Sequence, residues 1–237
     1  MTLAGGAPAA PAFLTFFPKM GIIGMYSAPV HMPEIWLPLF PLNVVLFPRS
    51  ALPLHIFEER YKVLINECVE SGAPFCIVLA REKGTADVGC TATVSSVERR
   101  YDDGRMDIIV GGESRYRLLG YDSTRAPYLV GQIRYFGEPD EHVDRDLAAG
   151  TIELYNALIV AAYRGGGTLI GLDRYESGLS FVIAQKAGLD LARRQELLEI
   201  PGENGRLRML KEYLTDLLPK LKRAEELQRV IKNDGYI

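Results

Sequence analysis

Leu37-Pro38-Leu39-Phe40-Pro41-Leu42-Asn43-Val44-Val45-Leu46-Phe47-Pro48, followed three residues later by Leu52-Pro53-Leu54-His55-Ile56-Phe57-Glu58-Glu59-Arg60-Tyr61, is the most strongly patterned stretch of the chain. Prolines cut the apolar runs to four to six residues, which predicts short strands over Ile35 to Phe40, Val44 to Phe47 and Leu52 to Ile56. From Glu58 the period changes. Tyr61, Leu64, Ile65 and Cys68 recur at i, i+3, i+4 and i+7, a helical stripe running to Ser71, with Gly72 as its stop. Glu58 and Glu59 occupy the first turn, where the helix dipole favours negative charge.

Further β-type runs extend from this stretch to residue 136: Phe75 to Ala80, Val88 to Arg99, Met106 to Val110, Arg115 to Tyr121 and Tyr128 to Phe136. So many short strands point to a barrel or folded sheet. Tyr101-Asp102-Asp103-Gly104-Arg105 predicts a hairpin connection, because glycine accepts the positive φ of such turns. Gly111-Gly112, between two runs, predicts a bulge or bend, since no helix follows to aim N–H groups at a phosphate. After Pro139 the pattern is helical. A helix capped by Asp146 carries Leu154, Tyr155, Leu158, Ile159 and Ala162, and a second runs from Glu176 to Ala187. A third, Leu191 to Glu199, is capped by Asp190 and ends before Pro201-Gly202. Gly165-Gly166-Gly167 reads as a flexible connector. Leu207, Leu210, Leu214, Leu217, Leu221 and Ala224 form a seam that docks on the other helices or pairs with a second chain, and Pro219 predicts a kink or a break in it. Residues 1–34 differ in kind, with Ala, Gly and Pro around the brief run Ala12 to Phe17. They are expected to be a disordered leader or a misassigned start, with Met20, Met25 and Met32 as alternative starts. The domain plan is therefore a leader (1–34), a β subdomain (35–138) and a helical subdomain (139–237).

The chain has 237 residues, a formal charge of -3 and 48% hydrophobic residues, ordinary values for a globular protein that has no general attraction to nucleic acid or anionic lipid. Cys68, Cys76 and Cys90 cannot all pair within one chain and lack ligand spacing, so they read as buried apolar residues in a reducing cytoplasm. No catalytic residue, metal ligand or cofactor motif emerges. The three histidines are His31 in the leader, His142 in a charged linker and His55 in a strand. His55 has no second histidine four residues on, as a zinc helix would require. A phosphate-binding G-x-x-x-x-G-K-[ST] run is absent.

The two opening motifs resemble the start of the N-terminal domain of Lon proteases. Val88-Gly89-Cys90, the run Ile108 to Arg117, and Arg194 to Glu199 follow in the order seen in that family. The resemblance spans about residues 35 to 233 and implies an α+β fold, a PUA-like β pseudo-barrel followed by a C-terminal helical subdomain. It also implies substrate recognition in a bacterial, cytoplasmic setting linked to proteolysis. The Lon ATPase and Ser/Lys peptidase modules have no counterpart in the sequence, so their activities are not carried over.

Three functions follow as expectations. The first is a non-catalytic module, an adaptor or holdase, that binds unfolded or exposed apolar polypeptide segments and works with a protease or chaperone. Its candidate contacts are Phe57, Tyr61, Tyr116 and Tyr155, amphipathic aromatics near element ends that fit core positions equally well. An apolar groove at the junction of the two subdomains is a natural place for it. The second is RNA binding, suggested by the PUA-like fold. The third is a hydrolase using His55 with Glu58 or Glu59. No membrane partner is expected.

Overall fold

The computed structural model describes residues 33–163, 167–171 and 178–234. The expected leader lies outside them except for its last two residues, and the second of these, Glu34, opens the first strand. The first two glycines of the expected connector and His31 also lie outside.

Six strands and five helices are described: β1 (Glu34–Leu42), β2 (Ala51–Ile56), α1 (Glu59–Ser71), β3 (Phe75–Leu79), β4 (Val88–Arg100), β5 (Met106–Asp122), β6 (Leu129–Tyr135), α2 (Arg145–Tyr163), α3 (Leu179–Lys186), α4 (Leu191–Glu199) and α5 (Glu203–Asp234). The class is α+β. β5 pairs antiparallel with β4, β6 and β2, β6 continues to β1, β1 runs parallel to β3, and β3 returns to β4. Five strands thus close a ring, the expected pseudo-barrel. Among the described residues β2 pairs with β5 alone and so leaves one edge open.

The ring interior is filled by Leu39, Cys76, Val78, Tyr116 and Ile133. A second core lies between the sheet and α1, where Tyr61, Leu64, Ile65 and Cys68 meet Phe40, Phe75, Ile77 and Met106. The helix follows its sequence signals closely: Glu58 is the N-cap residue, and Gly72 closes the end in the left-handed region with φ 68°. The hairpin also forms as expected, with Gly104 at φ 80° and the Tyr101 N–H donating to the Arg105 carbonyl.

Two strand expectations are corrected. Met106 to Val110 and Arg115 to Tyr121 are parts of one 17-residue strand, β5, which continues through Gly111-Gly112. A Cβ on Gly112 would lie 2.2 Å from the Phe47 carbonyl oxygen, so the glycine is needed for close approach to the chain between β1 and β2. Val44 to Phe47 is that chain, a buried connector and not a strand. Its side chains alternate between two cores. Leu46 enters the α1 core, while Val45 and Phe47 enter the helical one, where Phe47 stacks on Phe181 with ring centroids 5.5 Å apart.

The helical core joins Ile152, Tyr155, Leu158 and Ile159 of α2 to Leu207, Leu210 and Leu214 of α5, with α3 and α4 packed against them. The leucine seam therefore docks within the chain. Two expectations change here and a third is narrowed. Asp144 caps α2, its Oδ1 accepting from the Leu147 N–H at 3.0 Å, because the helix starts at Arg145 and Asp146 already lies inside its first turn. α3 starts at Leu179, while Glu176 lies outside the described residues. At Pro219 the break does not occur: α5 runs through it as one 32-residue helix, since a proline removes only one of many hydrogen bonds and residue 219 is exposed.

A buried polar network ties the β part to the helices. The Arg115 guanidinium, from β5, donates to the carbonyls of Leu198, Ile200 and Pro201 and to Glu138 Oε1. The Arg206 guanidinium, from α5, donates to Glu138 Oε2, Glu203 and the same Ile200 and Pro201 carbonyls. Glu203 in turn accepts from the N–H groups of Gly178 and Ser180. Two arginines with almost no exposure are thereby offset by two carboxylates and by carbonyl dipoles.

Candidate functional site

Alternation along β2 decides which side chains reach solvent. Ile56 is buried in the α1 core, so Pro53, His55 and Phe57 point the other way. Phe57, between the end of β2 and the cap of α1, is 60% exposed, unusual for a phenylalanine beside other aromatic rings. The His55 ring stacks against it with centroids 6.1 Å apart and meets Tyr101 edge-on at 5.9 Å.

The row is held from the sheet side. Asp107 lies opposite His55 in the β2/β5 register and hydrogen-bonds His55 Nδ1 at 2.6 Å and the Tyr101 hydroxyl at 2.7 Å. These contacts, His55 first, hold the Asp107 carboxyl below its usual range, and the same carboxylate raises the Tyr101 phenol. The Arg99 and Arg105 guanidiniums lie 4.6 and 5.1 Å from the Tyr101 ring centroid. The result is an amphipathic surface of three rings, two of them held by Asp107, bordered by Arg99 and by the Arg105–Asp103 ion pair. Fixed aromatic rings lose little entropy on contact with a partner, which suits them to carrying binding energy.

The other three aromatic candidates do not join it. Tyr61 stacks on Phe40 with centroids 4.0 Å apart in the α1 core. Tyr116 fills the ring interior and donates to the Ile77 carbonyl. Tyr155 sits in the helical core, its hydroxyl toward the Thr168 carbonyl. All three are buried in separate cores, because each lies on the inward face of its element, so only Phe57 of the four offers its ring to a partner. The sequence pattern marks His55 as a strand residue and gives no sign that Tyr101 and Asp107 belong beside it. The available signal was the period of two from Ile56, which places His55 and Phe57 together. Which hairpin residues meet them is a matter of register.

A cleft of about 420 Å³ opens at the junction of the β and helical parts, lined by Arg49, Ser114, Arg115, Tyr135, Phe136 and Phe181 among others. Its rings are largely occupied. Phe181 is buried against Phe47 and Arg206, and Phe136 lies under Arg115 and Arg117. It therefore offers less free apolar surface than the Phe57 row.

Hydrolysis by His55 with Glu58 or Glu59 is not supported by the geometry. His55 pairs with Asp107, while Glu58 binds Arg60 and Glu59 binds Lys62. The three cysteines are free and buried, and burial pushes the Cys68 and Cys90 thiols up to about 12, far from a reactive thiolate. Among the described residues no helix is long and apolar enough to cross a membrane.

Comparison with known proteins places these features in a family. A model of the ATP-dependent protease La (LON) substrate-binding domain matches residues 36–216. Lon protease 2 of Syntrophobacter fumaroxidans is 26% identical over 209 residues, which are 82% of this chain and 26% of that protein. Lon protease 2 of Herpetosiphon aurantiacus is likewise 26% identical over 212 residues, 84% of this chain and 26% of the relative. The chain thus spans about a quarter of these relatives. The N-terminal domain of a Mycobacterium avium complex Lon protease has the same fold, with a TM-score of 0.61 at 20% identity over 77% of this chain and 99% of that one. So does a Lon N-terminal domain protein of Xanthomonas campestris, with a TM-score of 0.58 at 23% identity over 74% of this chain and 96% of that one.

Proposed function

This chain belongs to the LON substrate-binding domain family, and on that premise we propose that it is a non-catalytic module that binds exposed apolar segments of unfolded polypeptides, acting as an adaptor or holdase in protein quality control. The observation that carries the reading is the Phe57 row, a large exposed ring stacked beside His55, which in turn meets Tyr101 edge-on, at the surface of a substrate-binding fold. Apolar residues of a client would pack on these rings and leave water, while Arg99 at the border favours segments with a neighbouring acidic residue.

The test is fluorescence anisotropy of a labelled, permanently unfolded polypeptide titrated with the protein, beside its folded form and an RNA oligonucleotide at two salt concentrations. The unfolded chain should bind selectively. Phe57→Ala should weaken it by about 2 kcal/mol, a roughly thirty-fold rise in Kd, whereas Phe136→Ala in the junction cleft should change it less than about three-fold. Failure to bind the unfolded chain at micromolar concentration would sink the reading, and salt-sensitive RNA binding would favour the RNA alternative instead.

A further inference from the structure

We propose that the client is held in extended form, as an added strand on the open edge of β2. The proposal rests on the polypeptide-binding reading above and supplies its mode. Its basis is the direction of the β2 backbone groups. The Gly112 N–H donates to the Ser50 carbonyl at 2.8 Å, and the register continues from Ala51 opposite Gly111 to Ile56 opposite Met106. Hydrogen bonding alternates along a strand, so Leu52, Leu54 and Ile56 turn their N–H and C=O groups to β5, and Ala51, Pro53 and His55 turn theirs outward. Pro53, which has no N–H to give a ladder, fits this assignment.

Among the described residues no strand pairs with the outward side. The edge carries no lysine or carboxylate, and Pro53 is the one residue on it of a kind that guards such positions. Its side chains are exposed at Ala51, Pro53 and His55, in line with Phe57. An extended client would find complete backbone pairs at Ala51 and His55, about 13 Å apart by strand rise, and a lone acceptor at the Pro53 carbonyl between them. Every second client side chain would then lie beside the Pro53, His55 and Phe57 row, where aromatic and β-branched cross-strand partners are favoured. Backbone pairing makes the grip largely independent of sequence. The missing donor at Pro53 keeps it reversible and limits stacking of β2 on a second copy of itself.

The probe is a fluorescein-labelled peptide of seven residues alternating valine or phenylalanine with threonine, flanked by glutamates and titrated with the intact protein. Two further peptides carry N-methyl groups at every second residue, one in each phase. If the client adds as a strand, methylation in one phase removes the N–H groups that face β2 and weakens binding at least ten-fold, while the other phase stays within about two-fold. Pro53→Val, which supplies the absent donor, should tighten the unmodified peptide by about two- to ten-fold, the worth of one hydrogen bond. Equal binding of both methylated peptides, with Phe57→Ala still harmful, would overturn strand addition and leave the surface reading intact. If Phe57→Ala has no effect, or the unmodified peptide does not bind, the surface reading fails and the strand proposal with it.

Discussion

Gly89 shows how tightly single positions are set in the ring. A Cβ there would lie 2.4 Å from both the Tyr116 hydroxyl and the Ile77 carbonyl oxygen. The glycine leaves the space that the Tyr116 ring fills, and the hydroxyl then reaches a backbone acceptor in the ring interior. Gly89→Ala should destabilise by about 2 kcal/mol or more in urea denaturation, in the range of overpacked cores. Tyr116→Phe alone should cost about 1 kcal/mol for the lost hydrogen bond. The double variant should not recover, because the carbonyl contact involves backbone that cannot move aside. Recovery to the level of Tyr116→Phe would show that the tyrosine hydroxyl is the only obstacle. At the same scale, the sequence offers Phe57, Tyr61, Tyr116 and Tyr155 alike as contacts or core, and only the fold exposes Phe57; Tyr61 and Tyr155 fall on apolar helical stripes, and inward-facing aromatics carry no separate mark in a one-dimensional pattern.

Among the elements, α2 separates a sequence expectation from the folded arrangement. Either Asp144 or Asp146 has the chemistry of a cap, and the Leu147 N–H selects Asp144. Asp144→Ala should therefore lower stability by about 1 kcal/mol, while Asp146→Ala, losing only its favourable interaction with the helix dipole, should cost a few tenths. Equal effects in thermal or urea unfolding would refute the assignment. The two helices with complete signals, α1 with its stripe and Gly72 and α4 with Asp190, were legible in full. Asp190 accepts from the Arg193 N–H at 2.8 Å as its position predicts. The strands were legible as runs but not as strands to be joined or dropped: β5 spans two runs, with Gly112 serving the approach of Phe47, and Val44 to Phe47 has strand composition without a strand partner.

At the scale of the molecule, Phe47 and the Arg115, Arg206, Glu138 and Glu203 network couple the β part to the helices. Trp36, the sole tryptophan, reports on β1, while far-UV circular dichroism reports mainly on the helices. The two signals should trace one coincident urea transition. Phe47→Ala should lower stability by about 3 to 5 kcal/mol, as for a buried phenylalanine, and move both midpoints down together. Separate transitions would show that the interface does not bind the parts into one cooperative unit. The sequence by itself determined the class, the order of strands then helices, and the family, because proline-limited runs, helical periods and capping residues act over a few neighbours and remain readable along the chain. Only the tertiary structure decided that β2 pairs with β5 alone among the described residues, that His55, Phe57, Tyr101 and Asp107 form one surface, and that Arg115 is buried against carbonyls from residues 198 to 201. Those outcomes depend on register and on contacts between distant segments, where the same residue types would have fitted several partners.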